Sequence, residues 1–522
     1  MSRLIALNHC SSLPRARLAI CAVAVAVGGA ACSNATPTTG TSATGQSGGS
    51  LSIGITSDPD NLFPWKATQF QAVGLLGLVY GTLTELDDKL EVTPGIAEKW
   101  DYSPDNLTLT LHLRNGVKFA DGATLSSADV KYSLDAIKTE STAAVARSTL
   151  ANVASVAAPD PNTAVLTLSK PDAALLAGLA TVNLAILKKD STESALATKP
   201  DGTGPFTFAS RKPGQSITLT ANKDYWHGAP KLSSLEFRVI PDETSVVSAL
   251  QSSGIQMATL DDPLVAKTAE GSGLKVTKTP QLSYHALQLR ASAPPLDDPN
   301  LRLAMQCAID RKQVLDTAAG GEGEVTGPIT SPAYKSDPGA RPCPNRDLAK
   351  AKDYLSKSKY PAGTTVKTIV SQGEYATSVN EAQSLKAQLA EAGITLELEV
   401  LESGAFVKRW VAADFHAAVA LNGGRPDPDA MYGRYFTSTG NLNKVAGYSS
   451  PAVDQLFAKG KATTEVAQRK QIYADASSQL EANAAWIWLF TGYTYTATTG
   501  TVRGYTATAA GSLINLRNTT VG

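Results

Sequence analysis

The sequence has few of the residues that build metal centres. Only five histidines and five cysteines occur among its 522 residues. The histidines lie far apart and lack the short spacings typical of metal ligands: His9, His112, His227, His285 and His416. We therefore expect no protein-built metal site and no cofactor.

The sequence also lacks net charge. Lys and Arg together number 47, and so do Asp and Glu. Without an excess of positive charge the chain has no general attraction to phosphate backbones, so nucleic acid is not an expected partner. The 43% hydrophobic fraction is typical of a globular protein. The length exceeds what one hydrophobic core can organise and predicts at least two lobes.

The N-terminal apolar run, residues 18–27, is shorter than the roughly 20 residues that a membrane-spanning helix needs. Arg15 and Arg17 precede it, and the small residues 28–31 lead from it to Cys32. This pattern predicts a secretion signal over residues 1–31. The small residues before Cys32 resemble the bacterial lipobox and predict a lipid on that cysteine, although Gly occupies the position where Leu is usual. Ordinary cleavage before Cys32 is the alternative.

Residues 33–50 contain only small or uncharged polar side chains and predict a flexible tether. With Cys32 the tether spans 32–50. If a lipid occupies Cys32, the mature chain retains Cys307 and Cys343. Outside the cytoplasm an even pair favours a disulfide, with two separately buried thiols as the alternative.

Two short patterns are formally those of hydrolases. Gly45, Ser47 and Gly49 match the nucleophile elbow, but they lie in the tether, without the strand and helix that an elbow requires. Ser356 and Lys359 match the pattern of serine penicillin-recognising enzymes, but they lie in a polar run without partner motifs. We interpret both as chance matches and expect no enzymatic activity.

Local patterns indicate mixed α/β structure. Alternating leucines over 107–113 predict a half-buried strand before an Asn-Gly turn. Asp298 and the proline after it predict a helix start, with helical spacing continuing to residue 311. Residues 380–392 predict a helix that is followed by a strand over 394–400. Further helices are predicted to begin at Ser450 and Thr464.

Several segments resemble one family of proteins. The stretches 107–122 and 125–134 resemble the signature of the oligopeptide, dipeptide and nickel group of binding proteins that serve bacterial ABC importers. Further landmarks follow in the family's order at 202–206, 222–226, 237–242, 304–311, 427–429 and 448–454. The resemblance implies an extracytoplasmic lipoprotein that captures peptides or a peptide-like small polar solute and delivers it to a membrane permease. A secreted hydrolase and a ligand-presenting sensor without a transport role are the alternatives.

The same resemblance implies a monomeric two-lobed clamp of the type II-like periplasmic-binding-protein architecture. Lobe I is expected over 51–282 and 487–522, with an extra subdomain near 86–199, and lobe II over 283–486. The protein is expected outside the cytoplasm, held to the cell membrane by its lipid.

The resemblance also points to candidate ligand contacts. In peptide-binding relatives an aspartate shortly before the Asp-Pro-Asp segment pairs with the ligand's amino group, whereas this chain has Gly424 there. Arg425 instead offers a planar fork of donors for a carboxylate or phosphate, and Asn422 offers a donor and an acceptor. Alternatively, Arg425 is a surface ion-pair partner of Asp427 or Asp429. Asp427 is included as a candidate contact.

Aromatic residues mark both expected crossings between the lobes. They are Tyr284 and His285 at the first crossing and Trp486, Trp488, Tyr493 and Tyr495 at the second. Rings with a polar tip suit a cleft wall that packs against an organic ligand. Ordinary core packing is the alternative.

Overall fold

A computed structural model describes residues 49–59, 61–360, 362–372, 375 and 377–522. The predicted secretion signal, Cys32 and residues 33–48 of the predicted tether lie outside the described residues. The first strand begins at Ser50, the last residue assigned to the tether.

The lobe I sheet has seven strands. Ser50–Ile55 pairs in parallel with Ser234–Val239 on one side and with Met257–Leu260 on the other. Leu51 and Ile53 alternate with more accessible neighbours and pack into the core. The spatial order is Lys275–Pro280, Tyr493–Thr498, Met257–Leu260, Ser50–Ile55, Ser234–Val239, Ser216–Ala221 and Phe206–Lys212.

The lobe II sheet has six strands. Two of them, Tyr284–Leu289 and Ile487–Thr491, are buried along their whole length because the lobe covers both faces of the sheet. The spatial order is Glu324–Val325, Ile487–Thr491, Tyr284–Leu289, Ala417–Asn422, Thr365–Gln372 and Thr395–Glu402.

The chain crosses between these sheets twice. The first crossing follows Lys275–Pro280 and enters lobe II at Tyr284. The second lies at Gly492, between Ile487–Thr491 in the lobe II sheet and Tyr493–Thr498 in the lobe I sheet. The predicted return to lobe I at residue 487 is therefore too early, because the strand that starts there pairs with Tyr284–Leu289.

A separate four-stranded sheet lies within the segment 86–199. Its strand Thr108–Leu113 buries Leu109, Leu111 and Leu113, which confirms the predicted alternation. The turn after it contains Gly116 with a φ of 75°, a conformation that favours glycine. The spatial order is Ala97–Tyr102, Thr108–Leu113, Thr163–Leu168 and Val153–Asp160. Two short pairs complete the described strands: Thr84–Leu86 with Val92–Pro94, and Val502–Arg503 with Thr520–Val521.

Helices pack on these sheets, and none in the described part of the chain is both long and apolar enough to span a membrane. The α-helices are Phe70–Val79, Ser127–Lys138, Leu175–Gly178, Glu193–Thr198, Glu243–Gln251, Pro263–Gly271, Pro299–Ala308, Arg311–Ala319, Leu348–Lys357, Ser378–Glu391, Ser403–Ala412, Arg434–Phe436, Asn443–Ala446, Pro451–Ala462 and Val466–Ala482. A π-helical turn spans Asp429–Gly433. Short 3-10 turns span Pro64–Lys66, Glu140–Thr142, Arg147–Leu150, Val182–Leu184, Pro332–Tyr334 and Ile514–Asn518.

The helix predicted from Asp298 begins as expected, since that carboxylate accepts a hydrogen bond from the Asn300 amide at 2.8 Å. It ends at Ala308 rather than at residue 311. A second helix starts at Arg311, where the Asp310 side chain caps it through the Gln313 amide at 3.0 Å. The apolar spacing in the sequence continues across this break between the two helices, because Ile309, one of the two residues between them, is also buried.

Other predicted helices and strands differ from the structure only in detail. The helix Ser378–Glu391 is followed by Gly393, which has a φ of 84°, and then by the strand Thr395–Glu402. Val400 on that strand is 42% exposed, whereas Leu396 is buried. The helix predicted to open at Thr464 is instead capped by the side chain of Glu465.

Lobe II also contains a disulfide between Cys307 and Cys343, whose Cα atoms lie 5.0 Å apart. Both cysteines are buried, and Cys307 lies on the helix Pro299–Ala308. The bridge closes a loop with a sequence separation of 36 residues. By the chain-entropy estimate it stabilises the fold by about 3–4 kcal/mol.

Candidate functional site

The loop after strand Ala417–Asn422 lies against the first crossing between the lobes. Asn422 is opposite Tyr284 in the sheet, and its side-chain amide donates to the Tyr284 hydroxyl at 3.3 Å. Two residues later Gly424 contacts the backbone of Leu282 so closely that a Cβ atom would overlap the Leu282 carbonyl. The close approach therefore places the loop beside the segment that joins the two lobes.

The two aspartates of the Asp-Pro-Asp segment already have cationic partners. Asp427 is buried and makes a two-point ion pair with Arg469, at 2.6 and 3.0 Å. Asp429 lies 3.3 Å from the ammonium group of Lys461. Neither carboxylate forms an ion pair with Arg425. The structure thus gives Asp427 a buried structural partner rather than a surface that a ligand could reach.

Arg425 is an exposed cation with neighbours but no acidic partner. Among the described residues no hydrogen bond or ion pair reaches its guanidinium. Burial lowers the pKa of this group, and the nearby charge of Arg434 lowers it further. The loop therefore presents a cation that no described acid neutralises.

Sequence reasoning missed Arg434, which the structure brings near Arg425. It follows the π-helical turn Asp429–Gly433, a rare element that is frequent at functional sites. Its guanidinium carbon lies 4.7 Å from the ring centre of Tyr435, and its Nε is buried without a hydrogen-bond partner. A separation of nine positions between the two arginines fits no helical or strand period, so the sequence pattern does not pair them.

The aromatic candidates pack inside lobe II rather than line its surface. Tyr284, Trp486 and Trp488 have no exposed side-chain surface. The Trp488 indole donates to the Tyr432 hydroxyl at 3.0 Å, and the Trp486 ring lies 5.0 Å from that of Tyr435. These three rings were predicted to line the wall of a cleft, but the structure places them in a buried layer beneath the surface. Apolar rings at the centre of a buried sheet gain more from full burial than from one exposed face.

His285 is also held inside the lobe. Its Nδ1 lies 2.8 Å from a carboxylate oxygen of the fully buried Glu381, and its ring stacks on Phe490 at 4.2 Å. With 7% of its surface exposed, this side chain joins the two crossing strands from within.

The described residues of the hydrolase-like pattern do not come together as a catalytic pair. The Ser356 hydroxyl donates to the carbonyl of Asp353 at 2.7 Å, while the Lys359 ammonium pairs with Asp297 at 2.7 Å. Gly45 and Ser47 of the other pattern lie outside the described residues. The described loop at the first crossing offers hydrogen-bond donors and a cation, groups that can bind a polar solute.

Two α/β lobes joined by paired crossings, with a polar and cationic loop beside them, define a solute-binding clamp. The comparisons with known proteins agree. Residues 91–443 match the model of the bacterial extracellular solute-binding proteins, family 5 Middle, and the chain belongs to that family.

Individual relatives share most of the chain. It is 29% identical to the probable di/tripeptide-binding protein 5 of Pseudomonas aeruginosa, over 81% of this chain and 86% of the relative. It is 24% identical to the glutathione-binding protein GsiB of Escherichia coli, over 83% of this chain and 87% of the relative. The periplasmic binding protein DppA of Helicobacter pylori, solved with the peptide STSA, superposes with a TM-score of 0.70 at 25% identity, covering 91% and 98% of the two chains.

Proposed function

We propose that this chain is the substrate-binding component of an ABC importer and captures peptides or a peptide-like small polar solute for a membrane permease. The observation that carries the proposal is the family 5 match over residues 91–443. The relatives named for binding di- and tripeptides and glutathione support small peptides as the ligand class.

Within the fold we propose that the ligand contacts the loop 422–425 at the first crossing. Arg425 is the strongest single candidate because its donors face no protein acceptor among the described residues. Asn422 presents part of its amide beside the Tyr284 hydroxyl. The remaining candidates are buried, and we propose that they support this loop from inside the lobe rather than contact the ligand: Asp427, Tyr284, His285, Trp486 and Trp488.

We further propose that Cys32 carries a lipid that anchors the protein outside the cytoplasm. Residues 33–49 would then join the anchor to the first strand. As a flexible coil this tether would separate the two by on the order of 25 Å, enough for the lobes to reach a permease in the same membrane.

Mass spectrometry of the compounds released by gentle denaturation of the purified chain tests the proposed ligand class. We expect about one equivalent of short peptides or peptide-like solutes. Uptake of the identified compound should also fall in cells that lack the protein. Sustained product release from peptides or esters by the purified chain would favour a secreted hydrolase. Unchanged uptake with loss of a ligand-dependent response would favour a sensor.

A further inference from the structure

Arg425 and Arg434 differ from the other arginines of lobe II because, among the described residues, neither side chain has an ion pair or a hydrogen-bond partner. Four of the others contact carboxylates: Arg341 contacts Glu481, Arg346 contacts Glu391, Arg409 contacts Glu399 and Arg469 contacts Asp427. The remaining three, Arg290, Arg302 and Arg311, donate to backbone carbonyls. Arg425 and Arg434 have no ion pair within the described part of the chain. The charged or ionisable groups that bear on Arg425 are Arg434 and Tyr435, and neither is a carboxylic acid.

The segments that carry the two arginines meet where the rings of Tyr284 and Tyr432 lie 5.4 Å apart. Like charges that lie near each other repel unless an anion lies between or beside them. The protein does not avoid this cost by folding an acid against them. Asp427 and Asp429, the acids nearest in sequence, are engaged by Arg469 and Lys461. The cluster therefore carries an uncompensated positive charge at the loop beside the first crossing.

The surroundings position the Arg434 side chain and the backbone that carries Arg425. Arg434 stacks on the ring of Tyr435, which is buried and within electrostatic reach of both arginines. Stacking on a ring orients the planar fork and leaves its edge free to donate. Arg425 is held by a loop whose position is set by the Gly424 contact with Leu282.

We infer that Arg425 and Arg434 together form a carboxylate-binding site at the hinge end of the cleft. Preferred ligands are then peptides or peptide-like solutes with a free carboxylate at that end. This inference rests on the proposed function and narrows its ligand class. A carboxylate accepts two parallel hydrogen bonds from one guanidinium and is further stabilised by the second cation. Gly424 leaves no room for an acidic side chain that would compete for the same donors.

Two pairs of peptides, each differing by a single carboxylate, test the inference by calorimetry on the purified protein. One pair is Glu-Ala-Ala and Gln-Ala-Ala, and the other is Ala-Ala-Ala and its C-terminal amide. We expect the carboxylate member of at least one pair to bind about 10- to 100-fold more tightly, the range for a hydrogen bond to a charged group. The double variant Arg425→Gln and Arg434→Gln should bind both members of that pair alike.

The matched control is Arg409→Gln, which changes a half-buried arginine of the same lobe that pairs with Glu399 and Asp414. It should leave peptide selectivity unchanged. Melting curves establish that each variant is folded. If either Gln variant fails to fold, Arg→Lys at the same position keeps the charge, loses the planar fork, and should lose part of the selectivity.

Equal binding of both members of each pair by the unmodified protein would overturn the carboxylate site and leave the proposed function standing. Selectivity that survives in the double variant would also overturn it. If no peptide binds or co-purifies, the proposed function fails instead. Titration with acetate and inorganic phosphate then decides the site separately: arginine-dependent binding of acetate would support it, whereas binding of phosphate alone, or of neither anion, would overturn it.

Discussion

Gly424 and Leu282 approach each other so closely that a side chain on Gly424 would overlap the Leu282 carbonyl. The contact joins the loop after strand Ala417–Asn422 to the segment that leads into lobe II. It also means that an Asp at position 424 would displace the loop, so that substitution cannot simply restore an amine-binding carboxylate.

Gly424→Ala should therefore destabilise the protein by about 1–3 kcal/mol, the usual cost of forcing extra atoms into a packed site. Gly423→Ala is the matched control, because a Cβ there meets no atom within 4 Å. It should change the free energy of unfolding by no more than about 0.5 kcal/mol. Urea denaturation of the two variants measures the difference. Equal stabilities would show that the loop yields without cost.

The buried pair of Asp427 and Arg469 should be costly to break. Burial alone would lower the pKa of Arg469, and the Asp427 carboxylate more than offsets that effect. Asp427→Asn leaves the guanidinium with only neutral acceptors and should cost about 3–5 kcal/mol. The exposed pair of Lys312 and Asp316 provides the control, since Asp316→Asn should cost less than about 0.5 kcal/mol. A similar loss in both variants, by chemical denaturation, would contradict the assignment of Asp427 to structure.

Asp429 should make stability depend on pH. Burial raises the pKa of its carboxyl to about 6, above its ordinary value of 3.8. The folded protein thus holds this proton more tightly than the unfolded chain does. Its stabilising contribution is complete below about pH 4 and is lost as the pH rises through about 6.

Asp429→Asn is neutral at every pH and removes this titration. The stability of the variant relative to the unmodified protein should therefore increase between pH 4 and pH 7, by about 2–3 kcal/mol at most. Denaturation of both proteins across this range measures the change. A difference in stability that is constant with pH would show that Asp429 has an ordinary pKa.

Cys32→Ala should release the protein from the membrane fraction into the medium or periplasm, because the acyl chains that would hold it require the cysteine sulfur. Fractionation followed by immunoblotting measures this. Cys307→Ser, which leaves Cys32 in place, is the control for effects of losing a cysteine. An unchanged distribution of the Cys32 variant would show plain secretion.

Local structure was predictable wherever neighbouring residues decide it. The alternation of Leu109, Leu111 and Leu113 predicts the strand, since side chains two apart share one face. Asp298 and Ser450 predict helix starts, because their side chains satisfy amides of the first turn. The ordered family landmarks also predicted the two-lobed architecture, which depends on the whole pattern of strands and helices.

Tertiary structure decided which of the candidate side chains are buried and which remain exposed. The sequence allowed two interpretations of Trp486, Trp488 and Tyr284, as the wall of a binding cleft or as part of the core. Composition does not show which faces of a strand are covered, and the structure buries all three. The pairing of Arg425 with Arg434 depends on a π-helical turn and on the other partners taken by nearby acids, and neither is visible in residue spacing. The sequence by itself thus determined the class of protein and its local elements. Only the packed fold decided where an unpaired positive charge remains, because charge compensation depends on distances between residues far apart in the chain.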